Sequence, residues 1–149
     1  MTELTVSGVR RAGLADLETL VARHARFCAV DGHPFDDERA RRAFVPLLKD
    51  DRHGVVWLAA AGYAVVTWGW SIEAGGPEAV LDEVFVDDRG EGVGTELIRH
   101  LLTDCRARGM ARVFLETELH NDRVRALYER HGFRVDDSVW MSHDFIDLE

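Results

Sequence analysis

The stretch that most restricts this chain is Arg89-Gly90-Glu91-Gly92-Val93-Gly94, because of what stands on either side of it. Ahead of it, Ala79 to Val86 is an apolar run of strand length. Behind it, Val93, Leu97, Ile98, Leu101, Leu102 and Cys105 recur at the period of a helix that Gly109 can end. A strand that passes through glycines into a helix leaves unpaired N–H groups aimed at one point, with no Cβ to keep a phosphate away. The fold must therefore mix strand and helix around this corner, and a pyrophosphate suits it. Spacing narrows the guest. A Walker-type loop needs Gly-Lys followed by Ser or Thr, but Gly94 runs directly into Thr95, and a dinucleotide fingerprint needs a third glycine where Thr95 stands.

The remaining pattern supplies the elements around that corner. Leu4 to Arg10 alternates like a strand, and Leu14, Leu17, Leu20, Val21, His24 and Cys28 follow at helical spacing. After the Gly32-His33-Pro34 break, Asp36 is placed to cap a second helix with Ala40, Phe44, Leu47 and Leu48 on its apolar face. Val55 to Ala60 and Tyr63 to Ile72 read as a tight hairpin turning at Gly62. Beyond the third strand and its helix come a strand from Val113 to Thr117, a short helix capped by Asn121 and carrying Val124, Leu127 and Tyr128, and a last apolar segment around Val139 to Met141. The predicted order is β-α-α-β-β-β-α-β-α-β, an α/β (α+β) chain with about four helices.

At 149 residues and 46% hydrophobic content, residues 1–149 form one domain with a core of its own. The run from Val55 to Val66 is interrupted by Gly62 and too short to cross a bilayer, and the N-terminus lacks a basic region followed by an apolar one, so a cytoplasmic protein is expected with no membrane partner. Cys28 and Cys105 stand far apart in helical segments and read as reduced core thiols; the seven histidines fall into no ligand spacing, so no metal is expected. The formal charge of −9 disfavours nucleic acid and favours cationic small molecules.

Arg89-x-x-Gly92-x-Gly94 resembles the Gln/Arg-x-x-Gly-x-Gly/Ala signature of the GCN5-related N-acetyltransferase (GNAT) superfamily. Downstream, Asn121 and Tyr128 stand seven residues apart with Gly132-Phe133 after them, similar to that family's common ending. The element order above is also the family's order, so the resemblance spans nearly the whole chain and implies a central mixed, mostly antiparallel sheet. It implies acetyl-CoA as acyl donor, its pyrophosphate wrapped by Arg89, Gly90, Gly92, Val93, Gly94 and Thr95, its pantetheine arm on the backbone of Val84, Phe85 and Val86, and its thiol end near Asn121. The stretch from Val86 to Arg89 is shorter than the family's usual spacing, which bears on how the Arg89 side chain meets the phosphates.

Acetyl transfer to an amine needs a neutral nucleophile, a polarised thioester and a proton for the departing thiolate. By resemblance Tyr128 is the general acid, although periodicity alone would make it a core residue beside Leu127. Asp82 and Glu83 are the acceptor-side carboxylates, Glu83 ahead of Asp82 as the base or as the anchor of a cationic amine; alternation sends them to opposite faces unless a bulge intervenes. Some protein-acetylating members place the base a few residues earlier, where this chain has Val80. Glu73, Glu116 and Glu118 are further candidates for an acidic acceptor cleft, Trp68 and Trp70 for its walls, and His120 for a backup base. The expected activity is N-acetylation of a small cationic or peptidic amine. Protein lysine or N-terminal acetylation is the alternative, a non-catalytic acyl-CoA sensor the competing class, and a nucleotide-binding protein of another fold the third. A homodimer through the C-terminal strand or the sheet edges is compatible with the sequence.

Overall fold

The computed structural model describes residues 8–87, 92–117 and 121–148. A five-stranded sheet runs in the order β1 (Arg10–Arg11), β2 (Gly54–Ala59), β3 (Gly62–Ser71), β4 (Gly76–Val86) and β5 (Val113–Phe114), antiparallel except for the parallel pair β4 and β5. Helices α1 (Leu17–Asp31) and α2 (Asp37–Lys49) cover one face, and α3 (Val93–Ala107) the other; α4 (Asp122–Arg130) follows β5.

Alternation along the strands builds both layers. Val55, Trp57 and Ala59 of β2 pack toward α3 with Leu97, Leu101 and Cys105, while Val56 and Leu58 meet Leu20, Val21, Phe44 and Leu48 of α1 and α2. Asp36 caps α2 as its position predicts, its carboxylate accepting from the Arg39 N–H at 3.0 Å. Both cysteines are free and buried in helices.

The β2–β3 turn is reduced to Ala60 and Ala61, and α1 grips it: the Arg23 guanidinium donates to the carbonyls of Ala59, Ala60 and Gly62 at 2.7–2.9 Å. Gly62 itself is where backbones approach closely, since a Cβ there would stand 2.4 Å from the Phe85 carbonyl oxygen of β4.

Of the first strand predicted over Leu4 to Arg10, residues 4–7 lie outside the described residues; Arg10 pairs with Leu58, and the pairing runs on to Arg11 opposite Trp57. Two expectations change. The strand expected over Val113 to Thr117 pairs only at Val113 and Phe114. The segment around Val139 to Met141 forms no strand and is exposed, because a two-residue β5 offers almost no ladder for a further strand to copy.

Candidate active site

The decisive local feature is an irregularity in β4. Its register with β3 runs Val66 opposite Leu81 and then Val65 opposite Glu83, leaving Asp82 as an extra, unmatched residue. Without that insertion Ala79, Leu81, Glu83 and Phe85 would share one face. With it, Ala79 and Leu81 pack toward α3, as do Val84 and Val86, while Phe85 joins the α1–α2 side and Glu83 turns to meet α1. One residue thus sends an acidic side chain away from the α3-side core and toward α1, where a partner waits.

That partner is His24, whose Nδ1 lies 2.8 Å from Glu83 Oε2. The hydroxyl of Tyr63, a fully buried residue on β3, donates to the same oxygen. Burial and the adjacent carboxylate push the Tyr63 phenol well above its ordinary range, so it remains a donor. The hydrogen bond to Glu83 raises the His24 imidazole above its ordinary value, against the opposing effect of burial. Asp82 keeps accessible surface, yet the surrounding chain excludes enough water, with Glu83 repelling a second charge, to raise its carboxyl above the usual carboxylate range. Asp82, Glu83 and His24 therefore act on one another as a single electrostatic group.

Beside this group the sheet opens. β5 pairs with β4 only at Ala79 and Val80, whereas β4 continues along β3 to Val86. From Leu81 to Val86, β4 thus has a neighbour on one side only among the described residues. At its end, α3 begins behind Gly92, which adopts φ +74° and provides no side-chain cap, so among the described residues no side chain caps the first-turn amides of Val93, Gly94 and Thr95. A Cβ added at Gly94 would meet Val86 at 3.6 Å and Leu127 of α4 at 3.7 Å, which places α4 beside the same corner. A strand edge with spare amide groups running toward an uncapped helix start fits an extended amide-bearing arm that ends in phosphates.

Asn121 caps α4, its side-chain oxygen accepting from the Val124 N–H at 3.3 Å. Tyr128 packs on the α3-side core and against Phe133, ring centres 5.6 Å apart. Burial raises its phenol above the ordinary value, keeping it protonated. It also borders a cavity of about 790 Å³ between β5, α4 and the C-terminal segment, which includes Phe114, Glu116 and Trp140 but neither acceptor-side carboxylate.

Glu73 does not join Asp82 and Glu83. It sits exposed in the β3–β4 turn, at the Ser71–Gly76 end of the hairpin, while the carboxylates stand toward the Gly62–Val86 end. Trp68 shares Glu73's half of the strand pair, its indole N–H donating to the Asp51 carbonyl and its ring covered by Arg108; Trp70 is exposed beside it. Core packing and a cation–π contact account for Trp68. Arg89, Gly90, Glu118 and His120 lie outside the described residues. Sequence reasoning missed His24 and Tyr63 as members of the site. The available signal was a histidine on an otherwise apolar helix stripe, four residues from Leu20 and from Cys28.

The model of the acetyltransferase (GNAT) family matches residues 16–133, most of the chain and all of the elements just described from α1 through α4. The chain belongs to the GNAT acetyltransferase family. Among curated GNAT relatives, the L-methionine sulfoximine/L-methionine sulfone acetyltransferase of Pseudomonas paraeruginosa is 30% identical over 145 residues, covering 87% of this chain and 81% of that protein. The mycothiol acetyltransferase of Beutenbergia cavernae is 42% identical over 62 residues, but the match covers 38% of this chain and only 21% of that longer protein. The crystal structure of an integron cassette protein from the mobile metagenome of Cole Harbour Salt Marsh superposes with a TM-score of 0.84 at 28% identity, covering 94% of this chain and 91% of that one. The fold class and enzymatic character expected from the glycine motif hold: this GNAT chain is an acetyltransferase with a mixed, mostly antiparallel sheet and, among the described residues, four α-helices. No helix among the described residues is long and apolar enough to cross a membrane.

Proposed function

We propose that this GNAT protein transfers an acetyl group from acetyl-CoA to the primary amine of a small, cationic acceptor. The observation that carries this reading is the bulge at Asp82, which sets two carboxylates side by side next to a strand edge with no second neighbour among the described residues. The likeness, over 87% of this chain and 81% of that protein, to an acetyltransferase named for an amino-acid analogue supports a small acceptor over a protein one.

When bound, acetyl-CoA supplies an activated carbonyl and a thiolate leaving group. In this reading the main chain of Val84, Phe85 and Val86 holds its amide-bearing arm, the loop and first-turn amides of Arg89, Gly90, Gly92, Val93, Gly94 and Thr95 receive its phosphates, and Asn121 contributes from the start of α4. The chain's own acid–base groups divide the remaining work. Glu83, pinned by His24 and Tyr63, holds the incoming ammonium by charge. Asp82, whose carboxyl desolvation and the neighbouring Glu83 raise above the usual carboxylate range, takes its proton as the stronger base this shift makes it. Tyr128, raised by burial, keeps its hydroxyl proton available for the departing sulfur.

Release of CoA thiol, followed against polyamines, amino acids, aminoglycosides and lysine peptides, tests this reading. Turnover dependent on a small amine, and lost in Asp82→Asn, is the expected result. Preference for lysine peptides would move the activity to proteins, and tight acetyl-CoA binding with no acceptor-dependent release would make the domain an acyl-CoA sensor.

A further inference from the structure

His24 reaches Glu83 from α1, not from the strand that carries the carboxylates, and three aromatic rings pack around it while its side chain stays 22% exposed. Phe27 stacks beside it at 6.1 Å between ring centres, Phe35 lies at 5.8 Å and Phe44 meets it edge-on at 6.0 Å. Its Nδ1 contacts Glu83 Oε2, and its Nε2 lies 3.4 Å from the Cys28 sulfur. A thiol is both a weak donor and a weak acceptor. Cys28 can therefore donate to a neutral ring or accept from a protonated one, and the ring keeps one orientation in both charge states. Glu83 Oε2 receives His24 and Tyr63 together, while Oε1 has no partner among the described residues.

Resting on the acetyl-transfer reading above, we propose that His24 is a positioning residue which fixes the Glu83 carboxylate through Oε2, presents Oε1 to the acceptor amine, and by its own charge sets how strongly that carboxylate attracts a cation. Protonated, His24 neutralises Glu83 and weakens the hold on an ammonium; neutral, it still donates through Nδ1 but leaves the carboxylate's charge unopposed. The groups that act on this switch come from every neighbouring element: Asp82 and Glu83 on β4, Tyr63 on β3, Cys28, Arg23 and Asp31 on α1, and Arg39 on α2, the last three through Tyr63 or Cys28. The hydrogen bond to Glu83, helped by the charges of Glu83 and Asp82, favours the charged ring against the opposing effect of burial, which places the switch above the ordinary histidine value near 6.5.

The test compares wild type with His24→Asn, which keeps a neutral donor, His24→Ala, which keeps none, and Glu83→Gln. For the best amine in the panel, the wild-type KM should fall about tenfold as pH rises through the His24 titration, beyond the change due to the amine itself, as expected for one unit charge removed at close range. In His24→Asn that extra pH dependence should vanish, and kcat should fall less than in His24→Ala, which loses the donor as well as the charge. Imidazole NMR gives a readout independent of turnover: His24 should titrate above 6.5 in wild type and drop toward or below it in Glu83→Gln. Equal KM profiles for wild type and His24→Asn, or a wild-type His24 that titrates at or below 6.5, would overturn the proposal. Absence of turnover with any amine would instead contradict the acetyl-transfer reading, leaving the NMR titration to decide the Glu83–His24 coupling alone.

Discussion

Replacing Gly62 with alanine should damage this protein more than any side-chain volume argument suggests. The new Cβ would stand 2.4 Å from the Phe85 carbonyl oxygen and 3.3 Å from Val86 Cα, both main-chain atoms that no rotamer change can move. Restoring an ordinary C···O contact of about 3.3 Å requires β3 and β4 to part by roughly 0.9 Å at that rung. The rung cannot simply fray, because Arg23 holds three carbonyls of the turn and the Asp87 N–H donates to the Ala61 carbonyl on the other side. Overpacking costs about 1–3 kcal/mol, and a rigid backbone obstacle places this case at about 2–3 kcal/mol. At about 2–4 °C per kcal/mol for a domain of this size, Tm should fall by about 5–10 °C. Urea unfolding with an unchanged m-value measures the same loss. Gly13→Ala is the control: its φ of −128° suits any residue and nothing stands within 4 Å, so it should lie within about 0.5 kcal/mol of wild type. Because Phe85 is two residues from Glu83, kcat/KM should fall in Gly62→Ala even at temperatures where it stays folded. Equal stability of the two variants would refute the close-approach argument.

Tyr128→Phe should leave stability within about 1 kcal/mol while lowering kcat by about a hundredfold, measured by steady-state thiol release, if the hydroxyl serves the departing sulfur. The acid limb of the kcat/KM profile should lie above the usual carboxylate range near 4, since the Asp82 carboxyl is raised and must lose its proton before accepting one, and that limb should disappear in Asp82→Asn. Glu78, a buried acid, is paired with the Arg112 guanidinium at 2.6 Å beside the β4–β5 junction, so Arg112→Ala should destabilise the fold and Glu78→Leu with Arg112→Met should recover part of the loss, as read by thermal unfolding.

Much of this architecture was legible in the sequence because it rests on local rules. Asp36 before α2, Asn121 before α4 and the glycine corner before α3 are signals read from neighbouring residues alone. Val139, Trp140 and Met141 look strand-like in sequence and form none, since a strand requires a partner and the short β5 does not provide one. The position of Glu83 turned on whether β4 carries an extra residue, and no local pattern in Leu81-Asp82-Glu83-Val84 decides that; the register with β3 does. The polar interruption of the α1 stripe singles out His24, but its pairing with Glu83, 59 residues away, and the approach of Tyr63 depend on that same register. Glu73 lay near the carboxylates in sequence but is carried away by the hairpin's own geometry, at about 3.3 Å per residue along β4.

The most direct test is mass spectrometry of the acceptor after incubation with acetyl-CoA and enzyme, using amines paired with hydroxyl compounds of matched size. The account predicts one acetyl group on the amine nitrogen, none on the matched alcohol, and loss of the product in Tyr128→Phe and Asp82→Asn. Acetylation of the alcohols instead, or amine product formed equally by both variants, would contradict it.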